Sequence, residues 1–163
     1  MDVLELALNS TQAELLDETL RRVNLASDLA AKEAFANGVR LGAPLDALRE
    51  ACSAAAQQFQ LASPYPTVML ERIREQMSAN PGAPPRFRKN QAIPLGAAHL
   101  KWSASDKVSL PTWKGRRSIT IHYDQRKGAV PLRSPLEHRP VVLIERNGVF
   151  TLEATDVDRR EDW

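Results

Sequence analysis

The 163-residue sequence has few of the residues that support disulfides, metal clusters or membrane spans. Its single cysteine, Cys52, excludes an internal disulfide and a multi-cysteine zinc site. Its three histidines, His99, His122 and His138, lie far apart, with no cysteine or histidine at metal-ligand spacing. No run of about 18 apolar residues occurs, and the first residues lack a basic signal-like region. We therefore expect no metal, no cofactor, no membrane association and a cytoplasmic location.

Motifs of the common catalytic centres are also missing from the sequence. There is no glycine-rich phosphate loop, no nucleophile elbow and no His-Glu-x-x-His motif. Asp156, Asp158 and Asp162 cluster near the end of the sequence, where an acidic run is usually solvated. Cys52 falls on an apolar helical stripe and is predicted to be a small buried side chain rather than a nucleophile. The sequence thus predicts no catalytic residues.

Positive charge is concentrated in the middle of the chain. Residues 1–80 carry 7 Lys and Arg against 11 Asp and Glu, residues 81–147 carry 13 against 4, and residues 148–163 carry 2 against 5. The resulting net charges of −4, +9 and −3 account for the overall +2. Such a basic segment is typical of a polyanion-binding region, although a scattered solvated surface gives the same count.

Hydrophobic periodicity predicts that the chain opens with a strand and a long helix. Residues 3–8 alternate, with Leu4, Leu6 and Leu8 on one face, as in a half-buried strand. Thr11 and Glu14 fit a capping box, and Asn-Gly at 37–38 supplies the helix stop. The apolar stripe expected to face the core comprises Leu16, Leu20, Val23, Ala30 and Ala34.

Two shorter helices are expected next. Pro44 suits the first turn of a helix, whose predicted apolar stripe comprises Leu45, Leu48, Cys52, Ala55 and Phe59. A third helix is expected to start near residues 63–66 and to end before the turn-forming sequence at 80–82. Its expected inward residues are Met69, Ile73 and Met77, and its expected outward residues are Glu71, Arg72, Arg74 and Glu75.

Short strands are predicted over the second half of the chain. Candidates cover residues 86–89, 100–102, 108–110 and 118–123, and residues 124–139 are expected to form a long basic loop or a short helix. Residues 141–146 and 149–155 predict a hairpin, because Asn-Gly between them accepts the positive φ angles of a type I′ turn. That register pairs Leu143 with Leu152 and Glu145 with Phe150. The predicted inward face comprises Val141, Leu143, Phe150, Leu152 and Ala154.

The predicted order of elements indicates an α+β fold, a small β-barrel with a three-helix insertion after its first strand. We expect the first barrel strand over residues 1–9, the helical insertion over 10–80, the barrel over 81–157 and an acidic tail over 158–163.

The order of these motifs resembles the N-terminal region of TnpB (OrfB) proteins, transposon-encoded RNA-guided nucleases related to type V CRISPR effectors. The matching stretches are LNSTQAELL at 8–16, AFANG at 34–38, PRFRK at 85–89, VSLPTWKGR at 108–116 and RNGVFTL at 146–152. The resemblance implies an OB-like wedge barrel that grips structured guide RNA, and a helical recognition lobe that contacts a short DNA motif beside the target.

The resemblance also suggests which residues make these contacts. Basic and aromatic residues in and beside the strands are the expected RNA-binding set: Arg86, Arg88, Lys89, Lys101, Lys107, Trp113, Lys114, Arg116 and Arg117. For DNA, the expected contacts on the third helix are Tyr65, Thr67 and Arg72. Val68 stands where the family often has glutamine, and valine cannot make a bidentate contact to adenine. Phe87 and Trp102 are more often core residues of a barrel.

In the TnpB family a RuvC-like nuclease domain follows the wedge. This sequence stops before the Asp-containing strand that opens that domain, and it lacks the later acidic residues and zinc ribbon. We therefore expect a nuclease-less prokaryotic protein, not an enzyme, that binds structured guide RNA and double-stranded DNA in the cytoplasm at the nucleoid. The alternative is one half of a split RNA-guided endonuclease, completed by a separate RuvC-like subunit. A third hypothesis is an interaction module that binds an acidic protein.

Overall fold

The computed structural model describes residues 2–40, 42 and 44–155. Three helices follow the first strand, and six strands follow the helices. The elements are β1 Val3–Ala7, α1 Ser10–Ala36, α2 Leu45–Gln58, α3 Tyr65–Ala79, β2 Ile93–Leu95, β3 Lys101–Ala104, β4 Lys107–Thr112, β5 Gly115–His122, β6 Val141–Arg146 and β7 Val149–Ala154. The predicted α+β class is confirmed. The predicted acidic tail at 158–163, and Asp156 before it, lie outside the described residues.

The predicted inward stripes of the helices are largely confirmed. Every residue of the first stripe is buried, and so are the three inward residues predicted for α3. On α2, Leu48, Cys52 and Ala55 are buried, whereas Leu45 and Phe59 are half-buried. Burial raises the pKa of the Cys52 thiol to about 12, because a thiolate would be poorly solvated there. The thiol therefore stays protonated and inert at neutral pH.

The capping box of α1 is formed by residues other than those predicted. The Gln12 amide donates to Asn9 Oδ1 at 2.8 Å, and the Asn9 amide donates to Gln12 Oε1 at 3.1 Å. The prediction that Thr11 caps the helix is wrong, because Asn9 and Gln12 satisfy the same three-residue spacing two positions earlier. The predicted stop is confirmed, since Gly38 takes a φ of +79° just after the last turn.

The chain divides into two compact units, a helical unit of residues 19–90 and a strand-rich unit of residues 1–18 and 91–163. The strand-rich unit holds one antiparallel sheet of seven strands in the order β2-β6-β7-β1-β5-β4-β3, curled into half of a barrel. β1 lies between β7 and β5, although the helices separate it from both in the sequence. The predicted arrangement, with helices inserted after the first strand, is therefore present.

The predicted hairpin and its register are confirmed in β6 and β7. Leu143 pairs with Leu152, and Glu145 with Phe150. Asn147 and Gly148 both have positive φ angles, 53° and 82°, as a type I′ turn requires. All five predicted inward residues are buried. β6 is buried on its other face as well, where Val142 and Ile144 are 3% and 5% exposed.

One strand prediction is wrong, and one strand was not predicted. Residues 86–89 form no ladder, because side chains take the place of a partner strand: the Arg86 amide donates to Gln76 Oε1 and the Phe87 amide to Asp28 Oδ1. These residues belong to the helical unit. Conversely, β2 was not predicted, because it has three residues and contains Pro94. Between β5 and β6 the chain forms turns and one short 3₁₀ helix, as expected of a loop.

Candidate nucleic-acid interface

Four neighbouring strands, β1, β5, β4 and β3, expose one face of the sheet. Directly paired residues point to the same side, and alternate residues along a strand share a face. Val108 pairs with Ile119, and Leu6 with Ile121, and all four are buried. The opposite side is therefore the exposed one. We call it the open sheet face, and its members are Val3, Glu5, Ala7, Lys101, Ala104, Lys107, Ser109, Pro111, Arg116, Ser118, Thr120 and His122. Pro111, which pairs with Arg116, is the one buried member.

Basic side chains dominate the charge of the open sheet face. It carries Lys101, Lys107 and Arg116, all exposed, and its one carboxylate is Glu5. Glu5 lies opposite His122. Ser109 and Ser118 lie in the row between Lys107 and Arg116, and Thr120 lies beside Lys107. These short hydroxyl side chains leave the charges accessible from solvent.

The three cations are spaced across the strands rather than along one of them. Lys101 pairs with Ser109, Lys107 with Thr120, and Arg116 with Pro111, which places the cations in three different cross-strand rows. With strands about 4.8 Å apart and rows about 7 Å apart, Lys101 lies roughly 8 Å from Lys107 and roughly 12 Å from Arg116. A surface of this size can meet several phosphates of one nucleic-acid backbone.

Arg116 is held flat against the sheet by three hydrogen bonds. Its Nε donates to Ser109 Oγ at 3.0 Å, and its Nη2 donates to the backbone oxygens of His99 and Ser109 at 2.8 and 2.9 Å. The side chain remains exposed. Arg116 therefore provides a fixed positive charge, while the two lysines are longer-reaching and adjustable.

The turn between β4 and β5 carries a second group of predicted RNA contacts. Trp113 is half-buried, and Lys114 Nζ lies 4.9 Å from the centre of its ring, within cation–π distance. Thr112 Oγ1 accepts from the Lys114 amide at 3.2 Å and donates to Gly115 O at 2.6 Å, which fixes the turn. Arg117 follows on the opposite face of β5 and is exposed. This turn extends the basic surface beyond the open sheet face.

The remaining predicted RNA contacts belong to the helical unit. Arg86, Arg88 and Lys89 are exposed, whereas Phe87 between them is 7% exposed. The Arg72 guanidinium lies over the Phe87 ring at 4.5 Å, and Asn24 Nδ2 donates to Lys89 O at 3.3 Å. The segment is thus fixed to helices and presents its basic residues outward. These three residues are part of the helical unit and do not belong to the open sheet face as defined above.

Two of the three predicted DNA contacts are inside the helical unit. Tyr65 is 1% exposed and Arg72 is 5% exposed, so neither side chain can reach DNA. The expected outward direction of Arg72 is wrong, because its Nη2 donates to Asn24 Oδ1 at 2.6 Å and its Nη1 to Ser27 Oγ at 3.3 Å. Burial lowers the pKa of Arg72 to about 9, so it is still charged at neutral pH. Thr67 alone remains exposed.

Sequence reasoning did not select Ser118, Thr120 and His122, which complete the open sheet face. The signal was present, because these residues alternate with buried Ile119 and Ile121 along β5. Alternation places them on the exposed side of β5. Only the pairing of β5 with β1 and β4 shows that they share this face with Lys101 and Lys107.

Comparison with known proteins gives no family assignment. No protein-family model matches the sequence, and no curated protein matches it. Among residues 2–40, 42 and 44–155, no three His, Cys, Asp or Glu side chains form a group that could hold a metal ion. In the same part of the chain, no helix has both the length and the apolar character that crossing a membrane requires.

Proposed function

We propose that the protein binds structured RNA, and that the open sheet face is the main contact surface. One observation carries the proposal: register and burial place Lys101, Lys107 and Arg116 on one exposed face with hydroxyl side chains between them. Exposed lysine and arginine side chains supply the phosphate contacts that dominate nucleic-acid affinity.

The side chains between the cations favour contacts to the sugar-phosphate backbone. Serine and threonine hydroxyls can donate to phosphate oxygens and can exchange hydrogen bonds with ribose 2′-hydroxyls. The residues that define the open sheet face include no Phe, Tyr or Trp, the side chains on which unpaired bases usually stack. The face therefore suits the shape of a folded RNA better than the bases of a single strand.

More specifically, we propose that the strand-rich unit is an OB-like wedge barrel similar to that of TnpB proteins, and that its open sheet face binds a guide RNA. The support for this finer form is the ordered series of sequence motifs, together with a first strand that pairs inside the sheet after a helical insertion. The DNA-binding part has weaker support, because Tyr65 and Arg72 are buried. We therefore make RNA, rather than DNA, the proposed ligand.

The test is a titration of a fluorescent hairpin RNA at several salt concentrations, followed by fluorescence anisotropy. The logarithm of the association constant is expected to fall linearly with the logarithm of salt concentration. Substituting both Lys101→Gln and Lys107→Gln removes two phosphate contacts, so the slope should become shallower by about 1.4–1.8.

The matched control changes two exposed basic residues of the helical unit, Lys32→Gln and Arg49→Gln, which lowers the net charge by the same amount. The control should keep the original slope. Equal slopes for the two double variants would show that only net charge matters and would refute the open sheet face as the contact surface. The absence of RNA binding at about 0.15 M salt would refute RNA binding itself.

The finer form has a separate test, sequencing of the RNA that co-purifies with the protein from its source cells. Enrichment of one structured RNA is expected. Recovery of RNAs in proportion to their abundance would contradict a guide-RNA role while leaving general RNA binding in place.

A further inference from the structure

The loop between β5 and β6 exposes an apolar side chain at its tip. Leu132 is 101% exposed, whereas the other exposed large apolar residues among those described, Val3, Val130 and Val149, range from 38% to 44%. Val130 lies two residues before Leu132 in the same loop. An apolar side chain without any cover gains free energy when a partner buries it.

Both ends of this loop are fixed to the strand-rich unit. At its start, Tyr123 Oη donates to Ser105 O at 2.8 Å, between β3 and β4. At its end, Leu136 is fully buried, and Arg139 Nη2 lies 3.0 Å from Asp2 Oδ1. The loop that carries Leu132 at its tip is therefore held at both ends by contacts within the strand-rich unit.

The charge around the tip is basic. Arg126, Lys127 and Arg133 are exposed, with the Arg126 side chain at 93%. No Asp or Glu occurs between Asp124 and Glu137. Asp124 lies 3.4 Å from the Arg126 guanidinium, so only part of the positive charge is compensated. A partner for this loop must be anionic and must also offer an apolar surface to Leu132.

We propose that this loop is a second RNA-contacting element, which rests on the proposed RNA-binding function. Leu132 packs against the flat face of an unpaired or terminal base, while Arg126, Lys127 and Arg133 contact neighbouring phosphates. In RNA, side chains usually reach the faces of bases at loops, bulges and ends, because a continuous duplex covers its base faces. The loop thus directs the protein to a bulge, junction or helix end, and the open sheet face contacts the adjoining duplex.

The test compares two fluorescent RNAs of equal length, a continuous duplex and a duplex with a two-nucleotide bulge. The wild-type protein should bind the bulged RNA about tenfold more tightly, the effect of burying roughly half of a leucine side chain. Leu132→Ser should abolish the preference and leave the affinity for the continuous duplex and its salt dependence unchanged. Val149→Ser, which shortens an exposed apolar residue on β7, is the control and should keep the preference.

Three outcomes would overturn the loop assignment. The wild-type protein could bind both RNAs equally, or Leu132→Ser could keep the preference. In the third, the protein binds vesicles that contain phosphatidylserine, this binding is lost in Leu132→Ser, and the protein shows no preference between the two RNAs. That result would identify the loop as a membrane-contacting element. Equal binding of the two RNAs contradicts only the loop assignment, whereas failure to bind either RNA contradicts the proposed function as well.

Discussion

Replacing Arg72 by alanine should destabilise the helical unit strongly. Arg72 is 5% exposed, and its guanidinium joins α3 to Asn24 on α1 and to the ring of Phe87. Asn24 in turn donates to Lys89 O. Truncation at this position therefore removes a hydrogen-bonded contact between two helices and one of the contacts that hold the 86–89 segment.

The size of the effect follows from three contributions. Leaving the buried Asn24 oxygen without its charged donor costs about 1–3 kcal/mol, and loss of the cation–π contact to Phe87 costs about 0.5–2 kcal/mol. Removing a buried charge recovers part of its desolvation energy. We expect Arg72→Ala to lower the free energy of unfolding by about 2–4 kcal/mol. Arg72→Met, which fills the space without a charge, should cost about 0–2 kcal/mol.

Urea unfolding followed by circular dichroism at 222 nm measures this stability, since that signal comes mainly from the helices. Limited trypsin digestion gives a second reading, because release of the 86–89 segment should accelerate cleavage after Arg86, Arg88 and Lys89 in Arg72→Ala. The control is Arg74→Ala, an exposed arginine on the same helix, which should change stability by less than about 0.5 kcal/mol.

A result in which Arg72→Ala and Arg74→Ala are equally stable would refute the reasoning. So would an Arg72→Met variant that is less stable than Arg72→Ala, because the methionine side chain preserves more of the packing. In either case the buried guanidinium would not contribute measurably to holding the segment against the helices.

Two further predictions concern single residues. Cys52 should not react with a thiol reagent at pH 9 in the native protein, and it should react at once in urea. Its pKa is raised from the ordinary 9.0 to about 12, so the thiol ionises at a lower pH in the unfolded chain than in the folded protein. The contribution of this thiol to the free energy of unfolding should therefore fall as the pH rises from about 9 to about 12. Asn9→Ala removes the cap of α1 and should lower the free energy of unfolding in urea by about 1 kcal/mol. Thr11→Ala should lower it by less than half of that amount. Equal losses for the two variants would contradict the observed capping box.

Local sequence signals were sufficient for the hairpin and for the three helices. The β6–β7 turn depends on two residues, Asn147 and Gly148, and the register follows once the turn is known. The helical stripes depend on residues three and four positions apart, so their burial could be predicted without knowing what covers them.

The burial of Arg72 was indicated by its position on α3, but the prediction followed its charge instead. Tyr65 and Val68, seven and four positions earlier, are both buried and lie on the same side of α3 as Arg72. Their apolar character indicated a buried position, but an arginine was expected to be outside because solvation usually decides its place. Its burial depends on Asn24 and Ser27, far away in sequence, which no helical pattern identifies.

For the candidate site, the sequence could predict which residues of each separate strand are exposed, but not which strands lie side by side. The alternation along β5 separates exposed from buried residues, and the basic residues of β3 and β4 are evident from composition. The open sheet face itself depends on β1, β4 and β5 lying side by side, a non-local arrangement that sequence periodicity does not contain.

The position of β1 also determines when the sheet can form during synthesis. Leu4 pairs opposite Leu152, and Leu6 opposite Ile121, so β1 must wait for two strands that are made much later in the sequence. Until then, the strands that will flank β1 have exposed edges open to wrong partners. Such long-range pairing slows folding. A chaperone that shields β5 and β7 on the ribosome would therefore be expected to raise the yield of soluble protein.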